Sequence, residues 1–184
     1  MSTPINGIDV EALGQFAAGV SQDTSTGNLQ FSVKTRWTGQ TRSRTTVESY
    51  SLGGQSHARN FTIEADEPEE LLGTNSAPNP QELIMAGLNA CMAVGYAAVA
   101  ATKGITIRSL EIETVGELDL RGFLGLDETV NPGYDEIHYT VCIDADATPE
   151  QIQEIHEAVM QTSPNFANFA KAIRMVPKVE MVGS

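Results

Sequence analysis

The sequence predicts an α+β fold in which antiparallel strands pack around one long apolar helix. Three observations carry that expectation. Residues Asn79 to Lys103 form one continuous helical pattern, alternation with a period of two flanks it on both sides, and two shorter helices follow the second block of strands. Strand runs interrupted by helices that pack on them point to α+β rather than to a doubly wound parallel sheet.

The central stretch carries no charge between Leu83 and Ala101, and Asn89 is its one strongly polar side chain. Ala, Leu and Met favour helix, and Gly87 and Gly95 are tolerable within it. Asn79 suits the N-cap, Pro80 the first helical position, Gln81 and Glu82 the first turn, and Gly104 the stop. Such a helix spans roughly 35 Å. Being apolar nearly all round, it needs more cover than one subunit's strands and short helices offer, which predicts a homodimer. Its length also approaches that of a membrane span. The dominance of Ala and Gly, and Lys103 as the one flanking cation, favour a core helix instead. Cys91 sits at its middle.

The remaining elements follow in order. Residues 1–28 form an N-terminal segment with a short helix capped by Asp9, its apolar positions Val10, Leu13, Phe16, Ala17 and Val20 recurring at helical spacing. Residues 29–184 form one further domain. It opens with a strand from Leu29 towards Trp37, then a second from Arg42 to Val47 with Arg42 and Arg44 on one face, and a third from Asn60 to Ile63. After Gly104, Ile105 to Val115 alternates broadly in period two, and the turn-rich segment from Arg121 to Tyr134 leads to a strand over Glu136 to Ala145. There Ile137, Tyr139, Val141 and Ile143 share one face, and His138, Thr140 and Cys142 the other. Thr148-Pro149-Glu150 opens a helix with the stripe Ile152, Ile155, Val159 and Met160, on which His156 is expected at the surface. Ser163-Pro164 breaks it, a short helix runs from Asn165 to Ile173, and Met175 to Val182 is expected to close the domain as a strand.

Composition narrows the function. With 184 residues and 41% hydrophobic content the chain is long enough for a sizeable core. A net charge of −13 argues against nucleic acid and anionic membranes as partners. The first residues lack the pattern of a signal peptide, so the cytoplasm is the expected location. The two cysteines, Cys91 and Cys142, form no CxxC pair and are expected as free thiols. His57, His138 and His156 show no metal spacing, and no glycine-rich phosphate loop is present, so neither metal nor cofactor is expected. Cys142, in a strand without a charged helper, reads as structural.

The loop and helix APNPQELIMAGLNAC, followed farther on by the Ser-Pro helix start and the closing TSPNFANFAKAIRMVPKVEMV, resemble the OsmC/Ohr family of organic hydroperoxide reductases. The resemblance takes in roughly residues 30–182. It implies an intertwined α+β homodimer with the cysteine helix buried and the sites at the subunit interface. It also implies that Cys91 is the peroxidatic thiol, whose thiolate attacks the distal oxygen of a hydroperoxide to give an alcohol and a sulfenic acid. A buried thiolate needs a cation. By resemblance that is an early-strand arginine, so Arg42 and Arg44 are the candidates and Arg36 the third, any of which could instead be a solvated strand residue.

The sequence departs from the family in two places. The orienting glutamate falls on Gln81, with Glu82 its neighbour, and one residue turns a helical side chain by about 100°. The resolving cysteine falls on Ser163, and a hydroxyl cannot form a disulfide. The resemblance therefore implies a one-cysteine peroxidase completed by an external thiol. Two alternatives stand beside it: a non-enzymatic relative binding a hydrophobic small molecule at the dimer interface, and a scaffold dimer.

Overall fold

The computed structural model describes residues 3–182. Helix α1 (Val10–Gln22) starts at Asp9, whose carboxylate accepts from the Ala12 amide. Strands β1 (Leu29–Phe31), β2 (Lys34–Gly39), β3 (Arg42–Leu52) and β4 (Gln55–Ala65) make one antiparallel sheet. The expected first strand is broken at Ser32-Val33: its first part pairs with the far end of β3 and its second part with the near end. β4 lines the other edge of β3. One face of this sheet carries Trp37, Phe61 and Ile63, all exposed, with Trp37 at 75%.

Helix α2 (Pro80–Thr102) has the expected ends. Asn79 and Glu82 exchange hydrogen bonds in a capping box, Pro80 takes the first position, and Gly104 stops the helix in the left-handed region at φ +73°. Strands β5 (Ile107–Gly116) and β6 (Ile137–Ala145) pair antiparallel, with the short helix α3 (Leu120–Phe123) between them. Helices α4 (Pro149–Thr162) and α5 (Pro164–Ala170) follow. The β6 alternation falls as the sequence predicts, with Ile137, Tyr139, Val141 and Ile143 turned inward. Met175 to Val182 does not form the expected strand. The segment has no pairing partner within the described chain, and its apolar side chains stay exposed.

The core is a single stripe. Leu88, Met92, Tyr96 and Ala100, each four residues apart on α2, meet Ile155 and Val159 of α4, with Ile105 closing the end. A Cβ at Gly95 would lie 3.2 Å from Val159 Cγ1, so the absence of a side chain there sets how closely α2 and α4 approach. The opposite side of α2 is bare: Val94 is 68% exposed, and Ala86 and Ala90, on the same stripe, are exposed as well. Asn89 is fully used, donating to the Ile112 carbonyl and accepting from Thr114 Oγ1. At the N-terminus Asn6 donates to the carbonyls of Ala97 and Ile105 and accepts from the Ile107 amide, fastening the start of the chain to the end of α2.

The sheet and α2 are joined through a loop built on Asp66, which is fully buried. Its carboxylate accepts from the hydroxyls of Thr41, Thr74 and Ser76 and from the amides of Glu67, Thr74 and Ser76. Gly73 passes so close to the Glu67 backbone that a Cβ there would sit 1.7 Å from its carbonyl oxygen. The Thr41 and Thr74 hydroxyls foremost hold the Asp66 carboxyl far below the usual carboxylate range. A carboxyl whose pKa falls on folding stabilises the fold above its unfolded value, near 4, and loses that contribution as the pH drops further. Asp66→Asn is expected to melt at lower temperature at neutral pH, because an amide cannot accept from every donor around it. Thermal melts by circular dichroism should also show a shallower loss of stability for the variant than for the wild type from about pH 5 down to about pH 2.

Candidate active site

Cys91 lies on α2 one turn before Gly95, half-buried, next to the core residues Leu88 and Met92. What faces it comes from the junction of α4 and α5. Thr148 caps α4 in a second capping box, and the helix runs until Pro164 forbids its continuation. Ser163 sits at that break. Its amide donates to the Val159 carbonyl and ends α4; its Oγ accepts from the Phe166 amide and begins α5. The same hydroxyl, only 5% exposed as a residue, donates to Cys91 Sγ at 3.3 Å. Asn165 adds a second tie, from Nδ2 to the Gly87 carbonyl at 2.8 Å, four residues before Cys91. Two side chains thus hold the start of α5 against the turn of α2 that carries the thiol. The Ser163 O–H is placed to donate to negative charge on sulfur.

The other site residues read from the sequence lie elsewhere in the single chain. Arg36 and Arg44 stand directly opposite each other on β2 and β3, and Arg44 Nε pairs with Glu64 Oε1 on β4 at 2.6 Å. Arg42 and Arg44 line a hollow of about 270 Å³ with Thr38, Glu64 and Ser76. Glu82 is occupied by the Asn79 cap, and Gln81 is exposed on the first turn of α2. Among the described residues no hydrogen bond or ion pair joins Arg36, Arg42, Arg44, Gln81 or Glu82 to Cys91; Ser163 alone bonds the sulfur. Cys142 is exposed on the outer face of β6, opposite Glu111, an anionic neighbour that does not favour a thiolate. No group of His, Cys, Asp and Glu side chains that could hold a metal occurs among the described residues.

His156 differs from the expectation that it lies at the surface. It is half-buried, and its Nδ1 bonds the hydroxyl of Tyr96, which is itself buried. Burial pushes the Tyr96 phenol up to about 12. The physical reason is that Tyr96 belongs to the apolar stripe of α2 yet brings a hydroxyl that must be satisfied inside, and His156 is the neighbour on α4 that does so. The Tyr139 ring lies tilted at 6.2 Å from the His156 ring and edge-on at 6.3 Å from Phe166. Beyond Phe166 opens a groove of about 670 Å³ between α2, β6 and α5, with Ile84, Leu88, Ile137, Tyr139, Phe166 and Phe169 among its walls. Sequence reasoning missed both this groove and Asn165. Each depends on where α5 docks, which no local pattern specifies.

A family model described as OsmC-like protein matches residues 73–178. No curated protein matches the sequence. Among solved structures, an OsmC-like protein from Mycoplasma pneumoniae superposes with a TM-score of 0.57 at 19% identity, over 77% of this chain and 87% of its own. An OsmC-like protein of unknown function from Vibrio cholerae gives 0.53 at 13% identity, over 74% and 91%. The organic hydroperoxide resistance protein OhrB of Bacillus subtilis gives 0.47 at 24% identity, over 73% and 86%. The first two share the fold. The matched span begins after the arginine-bearing strands and takes in the Asn79 cap, Cys91 and Ser163, and by that match the chain belongs to the OsmC-like protein family.

Proposed function

We propose that this protein reduces organic hydroperoxides through Cys91 with an external thiol as reductant. The observation that carries the reading is the Ser163 hydroxyl at 3.3 Å from Cys91 Sγ, in a buried setting where the family's second thiol is expected by resemblance. In the first step the Cys91 thiolate attacks the distal peroxide oxygen. The O–O bond breaks, an S–O bond forms, and the alkoxide takes a proton and leaves as the alcohol. Sulfur is oxidised to the sulfenic acid. One external thiol then displaces water to give a mixed disulfide, and a second thiol releases Cys91 and departs as the external disulfide. Ser163 takes no part in the electron balance. It orients the sulfur and donates to its negative charge.

The same reading makes the protein a homodimer in the cytoplasm. The bare side of α2 at Val94 and the exposed sheet face at Trp37, Phe61 and Ile63 support it, since apolar patches of this extent on one chain signal an interface. A cation for Cys91 would then come from the β3 arginines of the second copy, because none among the described residues of its own chain is bonded to it. The apolar groove beside α5 favours a second reading, a non-enzymatic protein that binds a hydrophobic small molecule. Ligand-dependent stabilisation with no peroxide consumption would select it.

Three measurements test the proposal. A coupled assay with cumene hydroperoxide and a dithiol should show turnover that Cys91→Ser abolishes and Cys142→Ser leaves intact; wild-type turnover untouched by loss of Cys91 would refute the assignment. Because no internal thiol faces Cys91, its sulfenate should be trapped by dimedone and pass to the sulfinic acid at excess peroxide. Ser163→Cys should instead give an intramolecular disulfide and resist that over-oxidation, read by mass spectrometry, whereas a Cys91–Cys142 disulfide in the wild type would contradict the scheme. Sedimentation at micromolar concentration should show a dimer, and a monomer would remove the subunit-interface site.

A further inference from the structure

The groove beside Cys91 is apolar within and charged at its mouth. It starts one helical turn from the thiol, about 6 Å of rise, at Gly87 and Leu88, and Asn165 and Phe166, which also line it, directly follow the Ser163–Pro164 break. Its walls are apolar and aromatic. Among the described residues the charged side chains that line it are Asp135 and Glu136, at the mouth where the loop enters β6, and no Lys or Arg lines it. Asp135 accepts from Asn131 Nδ2 at 2.9 Å, so its charge is held in place without being neutralised. Glu136 bonds the exposed His138, which offsets its charge only when protonated. In the adjoining hollow Arg121 is engaged by Asp119 and Asp127. Lys171 and Arg174 follow the lining residues Ala170 and Ile173 in sequence but do not line the groove themselves.

We infer that the groove holds the organic part of an uncharged hydroperoxide, alkyl, aryl or esterified lipid, and that Asp135 and Glu136 reject substrates ending in a carboxylate. This rests on the hydroperoxide reading of Cys91 for the identity of the substrate, while the discrimination itself is a property of the groove. A carboxylate tail lying toward the mouth meets two like charges without a counter-cation, beside walls of low dielectric that weaken screening. An uncharged tail loses nothing there and buries its chain against Leu88, Tyr139 and Phe166. The net charge of −13 extends the same repulsion to the approach of an anion from solution.

The test uses the protein as described and two redox-inert probes of one chain length, 1-octanol and octanoate, titrated at pH 8 and low salt. Calorimetry or chemical-shift perturbation should show octanol bound about tenfold tighter than octanoate. A merely apolar groove would also prefer the alcohol, so the deciding quantity is how that ratio changes. In the Asp135→Asn/Glu136→Gln double variant, both positions being exposed, and at high salt in the wild type, it should fall several-fold. A ratio unchanged by the variant, octanoate binding as tightly as octanol, or binding of neither probe would overturn the inference. Cys91→Ser should keep the same ratio. Absence of peroxide turnover with the ratio intact would then sink the catalytic reading and leave the charge selection standing.

Discussion

The buried Asp66 carboxylate is the joint on which the two halves of this chain turn. The buried core lies in the layer of α2, α4, α5, β5 and β6 and takes nothing from the sheet of β1 to β4, and the loop between them has no hydrophobic seam of its own. It is held by polar contacts converging on one carboxylate, from Thr41 before β3 and from Glu67, Thr74 and Ser76. Burying a charge is unfavourable unless it is saturated with hydrogen bonds, and here both oxygens are saturated. The loop also delivers Asn79, whose side chain reaches Glu67 as well as capping α2. The position of Cys91 in space is therefore inherited from an aspartate twenty-five residues earlier in sequence.

How much of this is legible in the sequence depends on whether the information is local. The ends of α2 are fixed by Asn79, Pro80, Glu82 and Gly104, all within a turn of the boundary they set, and the sequence places them correctly. The same holds for the break at Ser163-Pro164 and the facing of β6. The unpaired Met175 to Val182 fails for the converse reason: alternation says that a segment can pair but not that an edge is free to receive it. The charged helical neighbours of His156 predict a surface position, whereas its environment is decided by Tyr96, sixty residues away.

At the site, sequence spacing finds Cys91 and Ser163 as separate features, and packing brings them together. The candidate arginines show the limit of the approach. The strand and shared face of Arg42 and Arg44 follow from period two, and both are as expected on β3, yet within the chain Arg44 pairs with Glu64. Neither the capping box that occupies Glu82 nor the bond from Asn165 to Gly87 O is visible in the residues nearest Cys91, because the first serves a helix end and the second joins a mid-helix carbonyl to a residue 78 positions away.

The Asn6 clamp has a consequence for the order in which the molecule comes together. Its partners, Ala97, Ile105 and Ile107, lie 91 to 101 residues farther along the chain, so closing the clamp joins the ends of a very long loop. Contacts of such separation form late, after the local hairpins and α2 exist to receive them. On a ribosome Asn6 thus emerges well before its native partners do. Through that interval α1, an amphipathic helix with none of its residues buried even in the finished chain, is tethered only by its own sequence.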